Sequence, residues 1–308
     1  VLFCKLILIS IAYKITIFSR LKFFYKEVFF LILSLIFLSL IDYSSDRFGY
    51  KNIIFRELPI LVFTLILFDF LTDKSKQAKS VLVLAPLSVL SLMLSLDRGF
   101  VYNILLLLFC FFLLINKRYK HFFFLIFFTF SFWILTFLFL GNEFDLFVDN
   151  SFYIFSNMNY IHGWIHPTPF SSEAGSTRAT KTLLFILINL IFSFFLFSKK
   201  MKKFPLNLKI SLLFFSILSF FSYVYALGRT EVHHLRESFG YPIIYLSIII
   251  LFYLFKFLSL NNLNFFLIKS RNFFSVSLFL IFVLFSYTNL ELNLKNTLNY
   301  KDRFVYYI

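Results

Sequence analysis

Apolar residues in this chain follow no two- or four-residue rhythm; they run on for most of twenty positions and then stop at short clusters of charge. Ten such runs stand out, at residues 2–19, 27–42, 57–72, 80–96, 100–116, 121–140, 182–198, 208–227, 240–259 and 272–290. About 20 apolar residues make a helix as long as a bilayer's hydrocarbon core is thick, and in lipid a helix satisfies its own backbone hydrogen bonds. The pattern predicts an all-α, polytopic membrane protein with about ten transmembrane helices, forming one helical domain over 1–308. Lys5 and Lys14 interrupt the first run. Between the fourth and fifth stands only Leu96-Asp97-Arg98-Gly99, read as a tight turn with glycine as its punctuation.

Residues 141–181 have a different pattern. Phe144, Phe147, Val148, Phe152 and Phe155 recur at spacings of three and four among acidic and amide residues, which predicts an amphipathic helix lying in the outer membrane interface. The aromatic, proline-bearing sequence Ile-His-Gly-Trp-Ile-His-Pro-Thr-Pro comes after it. Together they read as a roof over a cavity.

Composition narrows the class. With 60% hydrophobic residues, 52 phenylalanines and a mean hydropathy of +0.85, the chain is not a soluble globule. The phenylalanines read as lipid-facing bulk. Cys4 and Cys110 both lie inside apolar runs, so neither a disulfide framework nor a cysteine metal site is expected.

The net charge of +15 comes from cations alternating with apolar runs, the positive-inside pattern, so nucleic acid is not an expected partner. Grouping alternate connections puts 17 lysines and arginines on one side, from Arg20 to Arg271, with Glu27, Asp69 and Asp73 as the acids near them. The opposite side holds 11 cations and the other 12 acids. The first side is read as cytoplasmic and the second as outer, in the cytoplasmic membrane. Val1 then lies outside and no initiator Met precedes it, so the chain reads as an N-terminally truncated fragment, with a further span and outer loop expected upstream.

Candidate chemistry gathers on the outer side. Residues 228–242 read Gly-Arg-Thr-Glu-Val-His-His-Leu-Arg-Glu-Ser-Phe-Gly-Tyr-Pro between two apolar runs. Headgroup anchoring uses cations, but it has no use for the glutamates among them. Arg229, His233, Arg236 and Glu237 recur at three- and four-residue spacing, and Glu231 and His234 are three apart. Arginine grips phosphate through a fixed fork of donors, and a glutamate beside a histidine is a workable acid/base pair near neutral pH. Asp97 and Arg98 read either as a span-ending ion pair or as part of the cavity wall. Asp42, Asp46, Arg47, Arg56 and Glu57 make a further outer cluster, and Asp69 near the inner end of the third run reads as structural. His162 and His166 have the spacing of a helical metal pair, but Gly163 and Pro167 oppose a helix there. No metal site and no cofactor are expected.

The turn Leu96-Asp97-Arg98-Gly99-Phe100-Val101-Tyr102 resembles the Asp-x-Gly turn of uncharacterised bacterial polytopic glycosyltransferases of the C-type superfold. Leu227-Gly-Arg229-Thr-Glu231-Val-His-His234-Leu235, followed by Pro242, resembles their Arg-x-Asp-x-x-His-Leu segment, with Glu231 where the pattern has aspartate. The resemblance covers about residues 55–253. It implies an enzyme that moves a sugar from a polyprenyl-phosphate carrier to a glycan, lipid or protein acceptor at the outer face of the membrane. It implies substrate binding by Arg229, Glu231, His233, His234, Arg236, Asp97 and Arg98. The family's catalytic base is an acid in the first large outer loop, which would lie upstream of Val1. A polysaccharide polymerase or ligase acting on lipid-linked glycans is the competing enzyme reading. A transporter or flippase is the third, disfavoured because the charges sit at the ends of the runs.

Overall fold

The structure is a computed structural model that describes residues 2–40, 53–157, 168–172, 176–202, 204–227, 238 and 240–260. Among these, every regular element is helical. In order they are α1 (Leu2–Ser19), α2 (Phe23–Leu40), α3 (Ile53–Thr72), α4 (Gln77–Leu94, entered through the 3-10 turn Lys74–Lys76), α5 (Leu96–Ile115), α6 (Tyr119–Leu140), α7 (Asn142–Ser156), α8 (Ser176–Leu196), α9 (Leu206–Leu227, after a 3-10 turn at Lys199–Met201) and α10 (Gly240–Leu260). The first nine apolar runs all fall on helices; the tenth, 272–290, lies outside the described residues. Six helices among the described residues are long and apolar enough to cross a membrane, spanning Lys74–Leu94, Leu96–Ile115, Tyr119–Leu140, Ser176–Leu196, Leu206–Val224 and Gly240–Phe257.

By its internal contacts the chain divides into two compact units, Val1–Ser44 with Lys51–Lys256, and Ser45–Tyr50 with Phe257–Ile308. The second is described only over 257–260. Helices α1 to α9, and α10 up to Lys256, belong to the first.

Short connections make α1 and α2, α3 and α4, α4 and α5, and α5 and α6 antiparallel, and side-chain pairings give the register. Along α3 and α5, which run the same way, Phe63 meets Tyr102 and Phe70 meets Phe109. Phe18 of α1 packs on Phe68 of α3, and Phe214 and Phe215 of α9 pack on Phe63 and Phe68. Phe29, Phe37, Phe63, Phe68, Phe70 and Phe215 are fully enclosed. The phenylalanines are therefore not all lipid-facing bulk: one set is the glue of the bundle, where edge-to-face ring pairs add about 0.5–1.5 kcal/mol each beyond burial. The other set coats α6, whose span is only 6% buried, so this helix sits at the periphery.

Two sequence expectations shift here. The reversal between the fourth and fifth runs lies at Ser95, extended at φ −166°, ψ 117°, and residues 96–99 form the first turn of α5. Gly99 is thus no turn residue. It lets α5 press on α4, because a Cβ there would meet the backbone N and Cα of Leu92. Secondly, Lys14, in sequence only an interruption of the first run, forms an ion pair across the helix packing with Asp69 of α3. A lone charge in that position costs several kcal/mol, so each residue accounts for the other. Pro86 lies in the middle of α4, and the helix runs unbroken through it.

The segment expected to be amphipathic is a helix, α7, entered through Gly141 at φ +52°, a left-handed value suited to glycine. Phe144 folds it back on α6, its ring centre 5.3 Å from that of Phe137 and 6.3 Å from that of Trp133. Glu143, Asp145, Asp149 and Asn150 are exposed, as expected; Phe152, assigned to the apolar face, is exposed as well.

Candidate functional site

The one part of the expected site that the structure describes is the start of α5. Ser95, in extended conformation before the helix, donates its hydroxyl to Asp97 Oδ1, which also accepts from the Arg98 amide at 2.9 Å. Acidic charge in a first helical turn is favoured by the helix dipole, which accounts for Asp97 at this position. The Arg98 guanidinium reaches out of the α4–α5 hairpin to α3, where its Nη2 lies 2.5 Å from Glu57 Oε1. Both side chains are largely covered, 14% exposed for Arg98 and 10% for Glu57. Two charged clusters that are far apart in sequence are joined by this pair. Its strength rests on low local dielectric, and its cost on the same desolvation.

Deeper along the same helices lies a hydrogen-bond network with no signal in the sequence. Asn103 of α5 donates through Nδ2 to the Gly99 carbonyl at 2.8 Å and the Ser88 carbonyl at 3.0 Å, and its Oδ1 accepts from the Ser88 hydroxyl. Trp133 of α6 donates its indole N–H to Ser88 Oγ at 3.1 Å. Tyr102 donates to the Leu84 carbonyl at 2.8 Å. In an apolar medium each such group needs a partner, so α4, α5 and α6 form one rigid block beneath Arg98.

Arg229, Glu231, His233, His234 and Arg236 lie outside the described residues, as do His162 and His166. The anchors on either side of the 228–237 stretch are described. Ala226, in the last turn of α9, is buried in one cluster with Ala179 of α8. Past the stretch, Ser238 is 1% exposed and α10 begins at Gly240, with the Pro242 carbonyl accepting from Asn189 Nδ2 at 3.2 Å. One turn on, Tyr245 and Ser193 share a buried hydrogen bond of 2.7 Å.

Among the described residues no group of three or more His, Cys, Asp or Glu side chains could hold a metal ion. Asp73, in the turn before α4, accepts from both the hydroxyl and the amide of Ser75, and these bonds hold its carboxyl below the usual range. That arrangement caps the turn Lys74–Lys76 and is structural.

Comparison with known proteins finds no matching family model, no matching curated protein and no matching solved structure. The functional reading rests on the residues themselves.

Proposed function

We propose that this protein is a membrane glycosyltransferase that moves a sugar from a polyprenyl-phosphate-linked donor to a glycan, lipid or protein acceptor at the outer face of the cytoplasmic membrane. The observation that carries the reading is the make-up of residues 228–237: two arginines, two glutamates and two histidines in ten residues of an otherwise apolar chain. Arg229, His234 and Arg236 hold the carrier phosphate in this reading. Glu231 orients a sugar hydroxyl, and His233 lies beside them. The buried start of α10 supports it, because a phosphate-binding stretch works best when its anchor is rigid and set away from bulk water. Asp97 and Arg98 line the cavity, with Arg98 held in place by Glu57.

The same reading takes about ten spans, an outer location for α7 and the reverse location for the Lys199–Met201 turn. Single cysteines at Ser172, which is exposed, and at Lys202 test this with an impermeant thiol reagent in intact cells. Labelling at Ser172 alone is expected, and labelling at Lys202 alone inverts the orientation.

The activity test is transfer from a polyprenyl-phosphate sugar in membranes, normalised to protein amount. Hydrogen bonds to charged groups are worth about 1.5–3 kcal/mol, so Arg229→Ala is expected to cut transfer about ten- to a hundredfold and Arg229→Lys to keep part of it. Unchanged specific activity in Arg229→Ala removes the phosphate-binding role. Extension of a lipid-linked glycan in the same assay, without transfer from a single-sugar donor, favours the polymerase or ligase reading.

A further inference from the structure

At the end of α6 remote from Asp97 and Arg98, an open groove of about 620 Å³ runs along one face of the helix. Phe123, Phe124, Ile126, Phe127 and Phe130 line it, and Lys120 stands at its mouth. Phe123, Phe127 and Phe130 are each about two-thirds exposed. Ten residues separate Lys120 from Phe130, so the groove descends about 15 Å from the helix end.

Lys120 lines this mouth, and Lys117 and Arg118 stand three and two residues before it at the same helix end. Lys117 sits in a left-handed conformation at φ +55°, in the tight connection between α5 and α6. Arg118 holds its guanidinium 4.9 Å over the Phe70 ring, with Nη1 enclosed and no hydrogen-bond partner among the described residues. Lys120 lies 5.8 Å over the Phe124 ring. Among the described residues none of the three forms an ion pair with a carboxylate. Three positive charges thus stand beside an apolar furrow with no described acid to compensate them. A cation cluster of this kind at a helix end that faces lipid attracts acidic headgroups at about 1 kcal/mol per cation near the surface.

We propose that this groove is a binding site for an acidic phospholipid, its phosphate held by Lys120 and the neighbouring Lys117 and one acyl chain laid along Phe123, Phe127 and Phe130. The site is independent of sugar transfer. It lies at the opposite end of α5 from Arg98, about 28 Å away along a 20-residue helix.

Native mass spectrometry of the purified protein, exposed in turn to dioleoyl-phosphatidylglycerol, dioleoyl-phosphatidylcholine and a polyprenyl phosphate, tests it. Phosphatidylglycerol is expected to be retained at least fivefold more than phosphatidylcholine. Lys117→Gln with Lys120→Gln should abolish that preference, and Lys199→Gln with Lys202→Gln, in the α8–α9 connection, should keep it. Phe123→Ala with Phe127→Ala should lower retention of phosphatidylglycerol severalfold. Equal retention of the two phospholipids overturns the proposal. So does loss of preference in the Lys199/Lys202 variant alone, unchanged retention in the phenylalanine variant, or displacement of phosphatidylglycerol by an equimolar polyprenyl phosphate. None of these results depends on the glycosyltransferase reading, which has its own assay.

Discussion

Gly99 of α5 lies against the backbone of Leu92 in α4, so closely that a Cβ on residue 99 would also stand 2.6 Å from the carbonyl carbon of Ser91. The atoms in the way are backbone, which cannot swing aside as a side-chain tip can. Overpacking a tight contact costs about 1–3 kcal/mol, and Gly99→Ala is expected to cost that much even though alanine is the better helix former. Thermal unfolding in micelles measures it. An unchanged midpoint would mean that the two helices part freely at this point.

The Arg98/Glu57 pair makes a double-mutant test. Removing one partner of a wholly buried pair costs about 3–5 kcal/mol, and with both side chains slightly exposed we expect about 2 for Arg98→Met or Glu57→Gln. The double variant Glu57→Leu with Arg98→Met removes both charges of the pair and is expected to recover part of the loss. Equal instability of double and single variants would show that the pair itself is not what the fold requires.

Asn189 is fully buried, and only its amide nitrogen is used, on the Pro242 carbonyl. Its Oδ1 has no hydrogen-bond partner among the described residues. Asn189→Leu removes the donor and the unsatisfied acceptor together, so global stability should change by less than about 1 kcal/mol. The start of α10 loses its tie, and hydrogen exchange over 240–246 should rise severalfold. Exchange unchanged there would show that packing alone fixes the helix start.

Asp73 carries a pH effect outside the spans. Its folded-state pKa lies below the ordinary value because the carboxylate accepts from Ser75 Oγ and the Ser75 amide, so the bonds stabilise the turn above the unfolded pKa. That contribution disappears as pH falls through the lowered folded value. In Ser75→Ala the hydroxyl bond is lost, and the carboxyl titration followed by NMR should move up toward that of an unperturbed aspartate. An identical midpoint in both proteins would refute the assignment.

Sequence reading and structure part at identifiable residues. Long apolar runs were enough to place nine helices, because a backbone surrounded by apolar side chains and lipid has only its own carbonyls to bond to. Runs of charge between them were enough to mark the helix ends. The change of pattern after residue 141 was enough to make 142–156 a separate helix. These are local properties, each carried by a window of about twenty residues or fewer.

What only the tertiary structure decided is which lone features answer one another. Lys14 and Asp69, or Arg98 and Glu57, are single anomalies in the sequence, and nothing within either window names the partner. The Ser88, Asn103 and Trp133 network is invisible for the same reason: each residue is one polar group in an apolar run. Phenylalanine is as compatible with lipid as with a core, so composition could not separate buried Phe63 and Phe68 from exposed Phe127 and Phe139. Gly99 looked like a turn because glycine allows turns, and it proved to be a point where two backbones meet. In a medium that favours helix almost everywhere, the helices come from the chain itself, whereas their neighbours depend on matching the few groups that lipid cannot satisfy.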